Sequence, residues 1–278
     1  MPLKDIDDRE MPLLEHLLEL RTRLMYSALA IFVAFVVAYF FSDDIFWILA
    51  RPLARAQAAA GETDPKMVYT ALTEFFFTRV RIAFWAGFFI AFPVVASQLW
   101  MFIAPGLYRN EKEAFLPFLA ATPILFFIGG AFAYFVVFPV AWSFFLSFQT
   151  PNGGGGVPIE FLPKVGEYLD IVMKLLLAFG IAFEMPVALT LLGRVGILTS
   201  DMLVQGRRYA IVLMFIVAAV LTPPDVFSQC SLALPMILLY EISIFLVRRA
   251  ERAKERRDAE EEAQNAASDT TRELDRVD

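Results

Sequence analysis

Residues 168–192 read YLDIVMKLLLAFGIAFEMPVALTLL, and this stretch decides the fold class. A helix needs about 20 mainly apolar residues to cross a bilayer core of roughly 30 Å, and the stretch is long enough. Five further apolar runs occur along the chain, at residues 24–41, 75–103, 114–148, 209–221 and 232–247. The sequence therefore predicts an all-α, polytopic membrane protein with six transmembrane helices.

The overall composition agrees with a membrane protein. Hydrophobic residues make up 58% of the 278 residues, 29 of them are Phe, and charged residues make up 19%. A soluble domain usually has about 45–50% apolar and about 25% charged residues. The single cysteine, Cys230, excludes an intrachain disulfide and a multi-cysteine metal site. The charged first twenty residues show no cleavable signal pattern, so we expect the first apolar run to remain in the mature chain.

The distribution of positive charge predicts the orientation. Six crossings place both termini on one side, and the arginines after residue 247 flank the last span directly. The positive-inside rule then predicts that both termini are cytoplasmic. We expect three regions: a cytoplasmic amphipathic N-terminal helix (1–23), the six-helix transmembrane domain (24–247) and a charged, mobile cytoplasmic tail (248–278).

The fifth apolar run is short. Residues 209–221 would form about 20 Å of helix at 1.5 Å per residue. This length predicts a mismatch with the bilayer, which local thinning of the membrane, snorkelling side chains or partner contacts would relieve. The alternative is that the boundaries of this helix differ from the apolar run by about one turn.

Glu184 is the most informative polar residue, because it lies inside the fourth run in the string FGIAFEMP (179–186). A carboxylate there costs at least about 2–3 kcal/mol. It must meet a partner, face a water pocket or be protonated, or else form a structural hydrogen bond between helices. Pro186 frees backbone groups nearby and favours a bend.

The N-terminal stretch 11–24 has the pattern of an amphipathic helix, with Glu19 on its polar side. Glu111 supplies a second carboxylate, in the loop between the second and third runs. Two such acids on one membrane face suit an arginine ligand, whose planar fork engages carboxylates bidentately. A solvated helix face is the alternative for Glu19. His16 and Glu19 alone have too few ligands for a metal site.

Five strings resemble the TatC family, the core membrane subunit of the twin-arginine protein translocase. They are HLLELR (16–21), FIAPGLY (102–108), FAYFVVFP (132–139), FGIAFEMP (179–186) and LTPPDVFSQ (221–229). They occur in order between about residues 12 and 247. The glycine stretch at 153–156 and the charged tail are not part of the family pattern.

The resemblance implies a cupped-hand arrangement of six helices in the bacterial inner membrane. It also implies a receptor for the twin-arginine signal peptides of folded cargo, working with single-span TatA/TatB-type subunits in an oligomeric complex driven by the proton-motive force. Its site residues would be Glu19, Glu111 and Phe102 for signal-peptide binding and Glu184 for an intramembrane partner. Thr222, Asp225 and Gln229 would contact partners at the outer end, and Pro52 and Pro93 would set the shape.

Two other classes of function are weaker. A proton-coupled secondary transporter or channel would use Glu184, but such proteins usually show several midplane polar groups and repeated halves. An intramembrane hydrolase lacks its motif, because the single His lies outside the spans and no H-E-x-x-H occurs. We therefore expect no enzyme activity, no catalytic or metal site, no cofactor and no nucleic-acid partner.

Overall fold

The structure, a computed structural model, describes residues 11–62, 64–107, 112–150, 160–222 and 226–274. These ranges are almost entirely helical. The helices are α1 (Met11–Phe40), α2 (Ser42–Ala59), α3 (Glu74–Leu107), α4 (Lys112–Phe132), α5 (Phe138–Leu146), α6 (Val165–Phe183), α7 (Met185–Val195), α8 (Ser200–Leu221) and α9 (Val226–Leu274). A π-helical turn, Ala133–Val137, joins α4 to α5.

Within the described ranges, six helical segments are long and apolar enough to cross a membrane. They are Glu15–Phe40, Glu74–Phe102, Phe118–Leu146, Val165–Arg194, Ser200–Leu221 and Gln229–Arg256. The prediction of an all-α protein with six transmembrane helices is therefore confirmed.

Large apolar side chains point outward, as expected for helices solvated by lipid. On α1, Leu24, Phe32 and Phe40 are 66%, 62% and 79% exposed. Val220 of α8 is 79% exposed. A water-soluble protein rarely exposes apolar surface on this scale, so the outer surface suits a bilayer.

The helices pack as a row. α1 packs on α3, α3 also contacts α4 and α6, and α4 packs on α6. α9 contacts α6 and α7 and packs along α8, which also contacts α6. The short helices α2 and α5 pack on each other.

Glycines allow the closest helix contacts in this row. A Cβ atom at Gly87 of α3 would lie 2.6 Å from the Phe35 backbone nitrogen of α1. At Gly129 of α4 it would lie 2.4 Å from the Phe179 carbonyl oxygen of α6. Only glycine fits such close backbone approaches, so these positions fix where α1 meets α3 and where α4 meets α6.

The helix α2 closes one end of the row. The hydroxyls of Tyr168 and Tyr134 donate hydrogen bonds of 2.7 Å to the carbonyl oxygens of Leu49 and Ile48. Pro52 is buried in the same helix. These contacts attach α2 to α6 and to the π-helical turn.

The prediction of a short fifth helix was wrong. The apolar run at 209–221 is the end of α8, a 22-residue helix that begins at Ser200. Thr199 caps its start by accepting a hydrogen bond from the Met202 backbone N–H at 3.2 Å. The first nine residues are helical but mostly polar, so counting apolar residues detected only the later part of the helix.

Candidate functional site

Glu19 lies at the contact between α1 and α3. Its Oε1 accepts a hydrogen bond from Nη2 of Arg23, one turn later, at 3.2 Å. Arg23 also reaches α3, where Nη1 lies 3.3 Å from Gln98 Oε1 and 3.6 Å from the sulfur of Met101. The Glu19 and Arg23 side chains are 32% and 30% exposed, so the pair is accessible from outside.

Phe102 joins the same site through an aromatic contact. Its ring stacks on His16 with a centroid distance of 4.2 Å and an interplanar angle of 14°. His16 precedes Glu19 by three residues, so it lies on the adjacent turn of the same helix face. The structure thus brings together two predicted binding residues, Glu19 and Phe102. Glu111, the third, lies outside the described residues.

Glu19 and Arg23, two residues on the polar side of the N-terminal stretch, are partly buried, whereas Glu15 and Thr22 are exposed. Leu17, Leu20 and Leu24 are 59%, 40% and 66% exposed, while Glu19 and Arg23 turn toward α3. A protein in lipid favours this arrangement, because the apolar side chains gain nothing by leaving the lipid. The stretch is continuous with the first span in α1.

An apolar groove of about 710 Å³ begins at this site. It is lined by Arg23, Tyr26, Leu29, Ala30, Val33, Ala34, Val37, Ile90, Ala91, Val94 and Gln98. Arg23 and Gln98 lie at one end, and the rest of the lining is mainly aliphatic. The site therefore combines a carboxylate with an adjacent apolar surface.

Glu184 forms the junction between α6 and α7. It follows the last residue of α6, and Pro186 lies in the first turn of α7. Both carboxylate oxygens are buried, and neither has a hydrogen-bond partner within the described part of the chain. The Thr122 hydroxyl and the Phe126 backbone of α4 lie nearby. Both groups are positioned to donate to the carboxylate, so a hydrogen bond between helices remains the alternative role for Glu184.

A second polar pair lies beside Glu184. The indole N–H of Trp100 in α3 donates a 2.8 Å hydrogen bond to the Thr122 hydroxyl oxygen. Thr122 is 3% exposed. Trp100 also packs in a small apolar cluster with Ala96 of α3 and with Val187 and Leu191 of α7. Sequence reasoning missed this pair, because neither residue is ionisable.

The remaining predicted residues lie apart from these two sites. Thr222 ends α8 and donates a 2.8 Å hydrogen bond to the Ala218 carbonyl. The Gln229 amide of α9 donates to the Phe215 carbonyl of α8 at 3.0 Å. Asp225 is outside the described residues. Pro93 lies within α3, far along the chain from Pro52 in α2.

Sequence reasoning also missed two ion pairs inside the spans. Arg207 of α8 pairs with Glu241 of α9 at 2.8 Å, and Arg81 of α3 pairs with Asp170 of α6 at 2.5 Å. Glu241 lies within the apolar run 232–247, so the signal that identified Glu184 was present there too. Across the described residues, no three His, Cys, Asp or Glu side chains come together to hold a metal ion.

These features define a class: a multi-pass membrane protein with one accessible acid at a helix contact and one buried acid at a helix break. The family model for TatC, described as Sec-independent protein translocase protein, matches residues 15–235. The chain belongs to the TatC family.

Curated relatives and a solved structure agree with membership of the TatC family. The Sec-independent protein translocase protein TatC of Magnetococcus marinus is 51% identical over 260 residues, covering 94% of this chain and 92% of the relative. TatC of Escherichia coli K12 is 41% identical, with 85% of this chain and 88% of the relative covered. A crystal structure of the twin-arginine translocase receptor TatC matches with a TM-score of 0.74 and 39% identity, covering 85% of this chain and 99% of that one.

Proposed function

We propose that this chain binds twin-arginine signal peptides of folded cargo and forms the core of a translocase in the bacterial inner membrane. Both termini lie in the cytoplasm in this proposal, which places Glu19 and Phe102 on the cytoplasmic side. The chain acts without enzyme activity, and the proton-motive force drives export. The name of the matched crystal structure, a twin-arginine translocase receptor, supports this role.

The main support for the proposal is that the Glu19 carboxylate is accessible and binds a guanidinium group. This guanidinium is that of Arg23, at 3.2 Å. Arginine binds carboxylates through a planar fork that lysine lacks. An incoming arginine can therefore share or replace Arg23 at Glu19, with Glu111 as the acid proposed for the second arginine of the peptide.

The groove beside Arg23 supports a binding site for the apolar segment of the signal peptide. Its aliphatic lining begins next to Glu19 and follows the contact between α1 and α3. A signal peptide carries an apolar segment after its arginines. We propose that this segment lies along the groove while Phe102 borders the arginine site.

Glu184 and the outer end of α8 are proposed as contacts for single-span TatA/TatB-type subunits. A buried carboxylate without a hydrogen-bond partner is costly, and a polar group from a partner helix would lower that cost. Thr222, Asp225 and Gln229 are proposed to contact partners at the outer end of α8 and α9. The subunits would assemble with several copies of this chain.

The proposal is tested by binding a fluorescent signal peptide to the protein in nanodiscs. We expect a peptide with two arginines to bind more tightly than the same peptide with two lysines. Glu19→Ala and Glu111→Ala should each weaken binding of the peptide with two arginines. Equal binding of the two peptides by all three proteins would contradict the receptor role.

A proton-coupled transporter or channel is the second candidate, and the buried Glu184 favours it. In that case, liposomes containing this chain alone would conduct protons or take up a small solute, and Glu184→Gln would abolish the flux. The receptor proposal predicts no flux from the chain alone.

A further inference from the structure

A second groove lies between α1 and α3, on a different face from the groove beside Arg23. Its volume is about 720 Å³, and its lining residues are Ala28, Ile31, Phe32, Phe35, Phe77, Val80, Arg81 and Phe84. The helical repeat places Ala28, Ile31 and Phe35 on one face of α1 and the Arg23-side residues Ala30 and Val33 on another. Arg81 is the one charged side chain in this lining.

Arg81 belongs to a small charged cluster. Its Nη1 lies 2.5 Å from Asp170 Oδ1 of α6, and the two side chains are 48% and 41% exposed. Lys174 is exposed and follows Asp170 by four residues, so the two lie on the same face of α6. Two cations and one anion leave the cluster with a net charge of about +1 at neutral pH.

The cluster lies in the outer part of the apolar layer, about 6 Å short of the headgroups of a core roughly 30 Å thick and within side-chain reach of them. Gly87 marks the contact with Phe35 near the middle of the span Glu74–Phe102. Arg81 is six residues nearer the start of α3, about 9 Å along the helix axis. Its long side chain can extend further toward the membrane surface while its methylene groups stay in the apolar layer.

We propose that this groove holds one acyl chain of an anionic phospholipid whose phosphate binds Arg81 and Lys174. A phospholipid is complementary to this site. Its acyl chain matches the apolar lining of the groove, and its negative phosphate matches the positive cluster at one end. A signal peptide carries positive charge and would be repelled by a cluster of net charge +1. An apolar partner helix would gain nothing from the half-exposed guanidinium and ammonium groups.

Arg81 suits a phosphate in particular. Arginine binds phosphate through two parallel N–H donors, and Arg81 has donors beyond the one engaged by Asp170. Asp170 fixes the direction of the guanidinium, and Lys174 adds a second positive charge beside it. This site is independent of signal-peptide recognition at Glu19, since its lining shares no residue with the groove beside Arg23.

The experiment measures lipid retention by native mass spectrometry of the delipidated full chain. The protein is titrated with phosphatidylglycerol or with phosphatidylethanolamine of the same acyl chains. We expect one phosphatidylglycerol to bind more tightly than the rest. Lys174→Gln should weaken that binding about fivefold, the loss expected for one cation near a lipid headgroup.

Two further test variants and two control variants distinguish loss of the lipid site from loss of folding. Arg81→Gln combined with Asp170→Asn removes both members of the ion pair and leaves Lys174 as the charged group of the cluster. It should weaken retention more than Lys174→Gln, because the parallel N–H donors of Arg81 are lost. Ala28→Phe fills the groove and should also reduce retention. Ala30→Phe, on the other groove, and Arg51→Gln, an exposed arginine of α2, should retain the lipid like the original chain.

The proposal is overturned if both lipids bind equally, or if Lys174→Gln and Ala28→Phe retain phosphatidylglycerol as Ala30→Phe does. Either result would mean that ordinary boundary lipid covers this face. Thermal unfolding of each variant in the same detergent confirms that the compared proteins are folded.

Discussion

Glu19 and Glu184 are both carboxylates within helices that cross the membrane, yet their surroundings are opposite. Glu19 is accessible and paired with Arg23 at 3.2 Å, beside a stacked His16 and Phe102. The Glu184 oxygens are buried at a helix break, with no hydrogen-bond partner among the described residues. A paired, accessible acid can exchange one arginine for another at small cost. A buried acid that has, in the described part of the chain, only the Thr122 hydroxyl and the Phe126 backbone near it is stabilised by a further polar partner.

The largest predicted effect concerns the packing around Glu184. Gly129→Ala would place a Cβ atom 2.4 Å from the carbonyl oxygen of Phe179, the residue before Gly180 and one turn before the end of α6. We expect a loss of about 1–3 kcal/mol in the free energy of unfolding, because the backbones of α4 and α6 would have to separate. Thermal unfolding in detergent measures this loss.

Gly206→Ala is the matched control for that substitution. Its Cβ atom would lie 3.6 Å from the Tyr240 hydroxyl, an ordinary contact, so its stability should be unchanged or slightly higher. Equal stability of the Gly129 and Gly206 variants would contradict the tight contact between α4 and α6.

The next effect concerns Glu19. Glu19→Ala should weaken twin-arginine peptide binding about tenfold or more, because a hydrogen bond to a charged group contributes about 1.5–3 kcal/mol. Fluorescence anisotropy in nanodiscs measures it. Glu15→Ala, which removes an exposed acid one turn earlier on α1, is the control and should change binding little. Equal losses in both variants would indicate general attraction by negative charge.

Glu184→Gln should raise the stability of the protein, in contrast to Gly129→Ala, which should lower it. Replacing a buried carboxylate by a neutral amide removes the cost of an unpaired acid, so the melting temperature should rise by about 2–4 °C per kcal/mol gained. Transport of a folded reporter should fall, since the amide replaces the carboxyl group that is proposed to contact a partner subunit. A lower melting temperature would show that Glu184 already has a stabilising contact in the isolated chain.

The smallest effect tests the polar pair beside Glu184. Thr122→Val removes the hydrogen bond from Trp100 and should cost about 0.6 kcal/mol, a typical value for a bond between membrane helices. Thr190→Val is the control, because that hydroxyl bonds the Pro186 carbonyl of its own helix. Thermal unfolding should show a larger loss for Thr122→Val, and the reverse order would contradict a bond that joins α3 to α4.

The number and order of the spans could be predicted from the sequence because each span contains an apolar run that polar, proline or glycine residues separate from the next run. The start of α8 could not, since Ser200 to Arg208 form a helix through capping and contacts with α9 rather than through apolar character. The partners of charged side chains were the second feature that the sequence did not predict. Sequence spacing alone favoured a solvated face for Glu19. The Glu19–Arg23 pair spans four residues of one helix, but the contacts of Arg23 with Gln98 and Met101 depend on how α1 and α3 pack.

The charged residues inside the spans show the same limit. Glu184 stood out because its neighbours are apolar, but Glu241 was passed over in an equally apolar run. Glu241 meets the guanidinium of Arg207, whereas Glu184 meets no cation in the described ranges and has only the Thr122 hydroxyl and the Phe126 backbone nearby. This difference depends on contacts between helices. Single-residue patterns cannot distinguish these two outcomes.

The most direct test of the difference between the two acids is peptide affinity measured in nanodiscs for Glu19→Gln and Glu184→Gln side by side. The expected result is that Glu19→Gln loses the preference for two arginines over two lysines, while Glu184→Gln binds both peptides like the original chain. If Glu184→Gln abolishes the preference and Glu19→Gln keeps it, recognition belongs to the buried acid and the division of roles is wrong.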